Sequence, residues 1–213
     1  MTVLYLIRHS TRLSPDYILD YKTEQGSLLR NEKDILSIEG EERAKILSEE
    51  DEFKNIKNIY VSNCVRTLQT AKYMMKKYGI KAVIDERLDE RRVGEPNDGK
   101  YPDWFVRQYE NADFKTKGGE SQNDVLIRMN EVIDEILDES SDEEIAIFSH
   151  GYAICFYLLQ FCQLEHIDMT KSLKITYKGK DILNGQLNAP EVFKLTFDEK
   201  KLVDIDHIIF SDL

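Results

Sequence analysis

The chain has 213 residues, 41% of them hydrophobic and 32% charged, and a formal net charge of −11. That length suits one domain with insertions, and the apolar share is enough for a core. The acidic balance argues against nucleic acid and anionic membranes as partners, and no stretch approaches the roughly 20 apolar residues of a membrane span.

The first residues, MTVLYLIRH, lack a basic leader and cleavage site, so no signal peptide is expected. Cys64, Cys155 and Cys162 form an odd, sparse set in apolar surroundings. They read as reduced, core-packed thiols, which fits a cytoplasmic location better than a disulfide framework.

In chain order, residues 3–9 predict a buried strand that stops at Arg8 and His9, with Arg12 just beyond. Neighbours on an ideal strand face opposite sides, so Arg8 and His9 serve one site only if the chain bends there. Residues 10–37 are polar and irregular. A segment this long inside a compact domain is a lid, a binding loop or a short helical excursion. Ser37 then caps a helix running to about residue 50, with acids in its first turn.

A strand at 58–62 feeds a helix at 64–78, which Gly79 ends at a C-cap position. Residues 80–84 predict a third strand and 85–100 a charged loop. Residues 101–111 carry Tyr101, Trp104, Phe105 and Tyr109, a short helix whose aromatics read as core. Gly118 and Gly119 break the chain. Residues 120–139 follow as a long amphipathic helix with Val125, Ile127, Met129, Val132, Ile133, Ile136 and Leu137 on its apolar positions. A fourth buried strand at 144–148 turns through Ser149, His150 and Gly151 into an apolar helix at 152–161. The tail predicts strands at 174–177, 192–197 and 202–205, the last two as a hairpin.

Strands alternating with helices predict an α/β fold, a three-layer α/β/α sandwich with a mostly parallel sheet. One domain is expected over 1–213, with inserted segments around 12–36 and 95–118. In such sheets ligands sit beyond the carboxyl ends of the strands. Arg8, His9 and Arg12 fall there after the first strand, Arg66 after the second, and His150 after the fourth. Helix starts at Arg66 and at His150–Gly151 offer N–H groups to an anion. Arginines, histidines and helix starts together make a dianion pocket suited to phosphoryl chemistry.

These segments resemble the histidine phosphatases, a family that includes the cofactor-dependent phosphoglycerate mutases. The resemblance rests on Leu6-Ile7-Arg8-His9, on Ser62 to Ala71 with its Arg66-Thr67-x-Gln69-Thr70-Ala71 run, on Arg87-Leu88-Asp89-Glu90-Arg91 with Gly94, and on Ser149-His150-Gly151. Gly119-Glu120-Ser121 adds a fifth segment. It implies a phosphoglycerate mutase-like sandwich in which His9 attacks phosphorus and becomes phosphohistidine. Arg8, Arg66 and His150 would hold the non-bridging oxygens, and Glu90 would protonate the leaving oxygen. Ser10, Arg12 and Gly151 would line the substrate. Flanking guanidinium charge favours the neutral, nucleophilic form of His9, and a positive cradle is most of what a loose phosphoryl transition state needs. The acid must be protonated when it acts, so a raised pKa is expected of Glu90.

The family usually carries glycine where this chain has Ser10. Either serine adopts an allowed conformation and lends a hydroxyl, or the pocket is reshaped. Arg12 has an equal reading as a surface loop residue, and Glu90 sits in a charge run with Asp85, Glu86, Asp89 and Glu95. At the spacing a cysteine phosphatase needs after Cys64, Cys155 and Cys162 stand Thr70, Phe161 and Asp168, none an arginine. Asp204-Ile205-Asp206 lies too near the end to build an aspartyl-phosphate site. No metal-ligand spacing or nucleotide loop is present, so neither metal nor cofactor is expected.

The sequence therefore predicts a phosphomonoesterase acting on a small phosphomonoester through phospho-His9. The alternatives are a phosphoglycerate mutase or a phosphate-sensing module without turnover. Mutases of the family tend to carry a large insertion between the acid and the second histidine. The short interval from Glu90 to His150 favours hydrolysis. His9, Arg66, Glu90 and His150 are expected to line one anion-sized hollow, with imidazole nitrogen facing its centre and neither ring buried away from solvent.

Overall fold

The computed structural model describes residues 1–14, 32–94 and 103–213. Nine strands and five α-helices occur among these residues. In order they are β1 (Thr2–Arg8), α1 (Ile38–Glu49), β2 (Ile56–Val61), α2 (Val65–Tyr78), β3 (Ala82–Ile84), α3 (Trp104–Glu110), α4 (Gln122–Glu139), β4 (Glu144–Ser149), α5 (Gly151–Leu158), β5 (Gln163–Ile167), β6 (Leu173–Tyr177), β7 (Lys180–Gly185), β8 (Glu191–Asp198) and β9 (Lys201–Ile208).

The main sheet has the order β3-β2-β4-β1-β8-β9. β3, β2, β4 and β1 run parallel, whereas β8 and β9 pair antiparallel to their neighbours. Alternation along the central strands sorts side chains into two cores. Leu4 and Leu6 of β1, with Ile145 and Ile147 of β4, join Val125, Met129, Ile133 and Ile154 of α4 and α5. Tyr5, Ile7, Ala146 and Phe148 point the other way, onto Leu47, Ala71 and Met74 of α1 and α2. Helices therefore cover both faces, and the three-layer α/β/α fold follows.

Local chemistry sets the element ends. Ser37 accepts from Gly40 N–H and caps α1. Ser121 and Asp124 form a reciprocal capping box at α4. Gly79 ends α2 in the left-handed region, φ +67, where glycine has no Cβ penalty. Met75 O then accepts from Ile80 N–H at 3.0 Å, so β3 starts at Ala82 rather than at the predicted Ile80.

Three further expectations are corrected. Ile127 is 61% exposed, outside the buried stripe of α4. The predicted helix at 152–161 stops at Leu158, and Phe161 and Cys162 N–H both return to Leu158 O in a turn. No glycine or proline marks that stop. Beyond it, β5, β6 and β7 build a separate three-stranded antiparallel sheet, of which only β6 is evident from the sequence. The strand at 192–197 and its hairpin to β9 are found, with Asp198 opposite Lys201. The proposed insertions lie partly within residues 15–31 and 95–102, outside the described residues. No described helix is long and apolar enough to cross a membrane.

Candidate active site

The tips of β1, β2 and β4 meet at one edge of the sheet. His9 follows β1, and its backbone N–H still reaches Ser149 O at 3.0 Å. The His9 ring lies 5.3 Å from the His150 ring, centroid to centroid. His9 Nδ1 is 2.7 Å from Ser10 O. A carbonyl only accepts, so Nδ1 carries the proton and Nε2 keeps a lone pair. Burial drives the His9 pKa well below 6.5, and the charges of Arg66 and Arg8 push it the same way.

Arg66, in the first turn of α2, donates from one guanidinium nitrogen to His150 Nδ1 at 2.8 Å. Arginine cannot accept, so His150 holds its proton on Nε2 and donates to Ser62 Oγ at 2.7 Å. Ser62 Oγ lies 2.8 Å from Thr67 Oγ1, and Thr67 in turn donates to Cys64 O at 2.6 Å. The chain thus runs one way, from Arg66 through His150 and Ser62 to the α2 backbone. His150 is wholly buried and both its nitrogens are engaged. The expectation of two imidazoles opening onto a hollow is therefore corrected: both rings stand beside Arg66 but are buried, His9 4% and His150 0% exposed. His150 keeps a pKa well below 6.5 through burial and the Arg66 charge.

Arg8 lies on the α5 side. Its Nη1 donates to Leu187 O at 2.8 Å and Asn188 O at 2.7 Å. Its Nε is buried with no hydrogen-bond partner, and Arg8 makes no ion pair among the described residues. Burial weighs against its charge, and the carboxylates of Glu90 and Glu191 offset this. Glu191 also accepts from Asn188 N–H and meets His207, which orders the turn that grips Arg8. Gly151 opens α5 against this arginine. A Cβ there would stand 3.2 Å from Arg8 Nε and 3.1 Å from Leu187 Cδ1.

Glu90 Oε1 accepts from Arg91 N–H at 2.9 Å and Ala153 N–H at 3.1 Å, and Oε2 lies 3.3 Å from Tyr152 N. The carboxylate therefore occupies the N-terminus of α5, where the helix dipole favours an anion. The expectation of a helix start free for the ligand is corrected, because Glu90 fills it. Next to Glu90, Asp89 accepts from Asn63 N–H at 2.7 Å, and burial raises its pKa to about 6. Cys64, Asp89 and His150 offer ligand atoms within 4.8 Å of one another. They fit a cation badly, because Arg66 donates to His150 and burial pushes the Cys64 thiol up to about 11.

Ser10 is buried with an ordinary backbone conformation, its N–H on Thr70 Oγ1 at 3.0 Å and its hydroxyl without a partner. Arg12 is half-exposed and paired with Asp34 at 3.0 Å, yet its charge reaches His9, Arg66 and His150. Thus His9, Arg66, His150, Arg8, Ser10, Glu90 and Gly151 gather at one sheet edge, with Arg12 at its rim. Arg87, Glu120 and Arg128 are scaffold: Arg128 donates to Glu120 and to Arg87 O, and Arg87 meets Glu135. Sequence reasoning missed Ser62, Asp89 and Glu191. Ser62 sits in a quoted motif without a role, and Glu191 carries no signal at all.

The histidine phosphatase superfamily (branch 1) model matches residues 4–184. The chain belongs to that superfamily. No curated protein sequence matches it. Among solved structures, this histidine phosphatase is similar to YhfR from Bacillus stearothermophilus, with 21% identity, a TM-score of 0.69 and 95% of each chain covered. It is similar also to a mycobacterial glucosyl-3-phosphoglycerate phosphatase in complex with VO3, with 20% identity, a TM-score of 0.68 and 98% of each chain covered. A phosphoserine phosphatase mutant from Entamoeba histolytica, in complex with phosphoserine, gives 17% identity, a TM-score of 0.63 and 97% of each chain. At these identities the likeness bears on the fold alone.

Proposed function

We propose that the protein is a phosphomonoesterase that hydrolyses a small phosphorylated metabolite through a phosphohistidine on His9. The observation that carries this is the locked ring of His9. With Nδ1–H held by Ser10 O, Nε2 is the nucleophilic atom, neutral and buried beside Arg8 and Arg66. Nε2 attacks phosphorus, the bond to the leaving oxygen breaks, and that oxygen takes a proton from the acid. Water then attacks the phosphohistidine, returns the proton to the acid and frees phosphate and His9. Arg8 and Arg66 supply positive charge to the equatorial oxygens. In this reading His150 acts on the phosphoryl group by fixing Arg66.

The acid is Glu90. A second reading gives that step to Asp89, the neighbour whose carboxyl burial keeps protonated up to about pH 6. Leaving-group dependence separates the two. The true acid's amide variant, Glu90→Gln or Asp89→Asn, loses about 100-fold or more on alkyl phosphates. It loses far less on p-nitrophenyl phosphate, which needs no proton to leave.

The test of the main reading is chemical. Brief exposure to a radiolabelled phosphomonoester should leave acid-labile, alkali-stable phosphate on the protein, absent in His9→Ala. Binding without any such adduct or phosphate release would instead favour the sensing module. Isomerisation of phosphoglycerate faster than phosphate release would favour the mutase.

A further inference from the structure

Arg66 is held by His150, and Arg8 has a holder of another kind. Both N–H groups of Arg8 Nη1 go to carbonyls of a single turn, Leu187 O at 2.8 Å and Asn188 O at 2.7 Å. A guanidinium is planar, so fixing Nη1 at two points also fixes the direction of Nη2. Where Arg8 points is therefore decided by what holds residues 187–189.

Three side chains hold that turn. Thr11 Oγ1 and Arg43 Nε both donate to Ala189 O, at 3.1 Å and 2.9 Å. The third is Glu191. One of its carboxylate oxygens accepts from Asn188 N–H, and the other meets His207 Nε2. An ionised carboxylate only accepts, so His207 carries its proton on Nε2. Glu191 stands opposite Arg8 in the β1–β8 register, and opposed residues project to the same face of a sheet. One step lower on that face Leu6 opposes Phe193, and both lie in the apolar core. At the strand tips this apolar row gives way to a pair of opposite charges. Glu191 is only 4% exposed, and a carboxylate buried to that degree needs compensating partners. Burial weighs against the charge on Arg8, and Glu90, with Glu191 beside it, works the other way. His207 is itself fixed by stacking on Phe193 across the β8–β9 pair, with centroids 5.1 Å apart and planes 20° apart. Both Glu191 and His207 lie beyond residues 4–184, the span that the superfamily match covers.

We infer that Glu191 is a positioning residue that acts through Arg8, and that His207 seats its carboxylate. Glu191 fixes the turn that aims the guanidinium and balances the charge of Arg8 from the neighbouring strand. The inference rests on the phosphatase reading only for what Arg8 holds, the phosphoryl oxygens.

A double-mutant cycle tests this. Glu191→Ala should lower kcat/KM on p-nitrophenyl phosphate about tenfold, within the roughly 100-fold that a misplacement of about 1 Å costs. Glu191→Gln keeps an acceptor for Asn188 N–H but not the charge, and it and His207→Ala should each cost about threefold. In an Arg8→Ala background the same substitutions should cost less than about twofold, because the group they act through is gone. Calorimetric affinity for inorganic phosphate, followed through the same cycle, reads the coupling without turnover. All variants are compared below the lowest unfolding temperature of the set, and Glu191→Gln with His207→Ala carries the cycle should Glu191→Ala fail to fold. A merely structural Glu191 would cost the same with and without Arg8. Such additivity, with phosphate still released by the unaltered protein, would overturn the positioning role and leave the phosphatase reading standing. Coupling in phosphate binding, with no hydrolysis by the unaltered protein, would do the reverse.

Discussion

Arg66 and His150 are joined at 2.8 Å, guanidinium nitrogen to Nδ1, at the floor of the site. Because the arginine can only donate, this contact decides the tautomer of the histidine and sends its proton to Ser62. The two residues hold each other in place, and Ser62 completes the hold.

Removing that third member has a readable effect. Ser62→Ala leaves His150 Nε2–H buried without an acceptor, which costs about 1–3 kcal/mol of stability. Arg66 loses its fixed support, and kcat falls by about tenfold or more with little change in KM. Nitrogen NMR of the unaltered protein should show His150 protonated on Nε2. A signal from the Nδ1–H form would contradict the assignment directly.

The approach of Gly151 to Arg8 gives a second case. In Gly151→Ala the new methyl meets Arg8 Nε at 3.2 Å and Leu187 at 3.1 Å, and Arg8 must shift. The contacts are relieved by a shift of a few tenths of an ångström, so kcat/KM falls several-fold, less than the roughly 100-fold that a misplacement of about 1 Å costs. Thermal unfolding measured beside the kinetics guards against a folding artefact, since overpacking itself costs about 1–3 kcal/mol. Unaltered kinetics would show that Arg8 plays no part in the rate.

The imidazoles make a pH prediction. Burial, then the charges of Arg66 and Arg8, place the His9 pKa well below 6.5. His9 therefore stays neutral on acidification, and the acid limb of kcat/KM for this group lies well under pH 6.5. Stability runs the other way. Below about 6.5 the unfolded chain binds protons that folded His9 and His150 refuse, so stability falls as the pH drops through and below that value. Urea midpoints from pH 8 to 5 should show the fall, and His9→Ala should make it shallower.

Ser10 offers a test in which activity and stability part company. Its hydroxyl is buried and unpartnered, an arrangement that costs about 1–3 kcal/mol. Ser10→Ala should raise the unfolding temperature and, if the hydroxyl meets the phosphoryl group, raise KM several-fold. A fall in both would mean that the hydroxyl has a structural partner instead.

Much of the fold is legible because apolar period and helix caps are local signals. Ser37 and Gly79 each act where the residue type predicts, whereas Ser121 caps a helix that the sequence pattern starts at residue 120. The parallel core strands declare themselves as continuous apolar runs. β5 and β7 do not, since QLEHI and KDILNG alternate weakly and are largely exposed. Within the site, residues whose type is unusual at a strand tip, such as His9, Arg66 and His150, could be found one at a time. Partnerships could not. That Glu90 fills the start of α5, and that Ser62 receives the His150 proton, depend on contacts across 62 or more residues of chain. That burial raises the carboxyl of Asp89, a residue to which its motif gives no role, likewise depends on packing rather than on residue type.

The small antiparallel sheet enters the chain between α5 and β8, while β8 pairs directly with β1. The main sheet thus closes without it, and the Arg8 guanidinium is held on the returning chain by the carbonyls of Leu187 and Asn188. Backbone carbonyls are the same whatever the side chains. The apolar face of the small sheet is another matter: Leu173, Ile175, Tyr177, Ile182 and Leu183 are buried in the core shared with β1 and α5, so within residues 163–186 only the outward positions are free to vary while the inward ones stay bound to the framework.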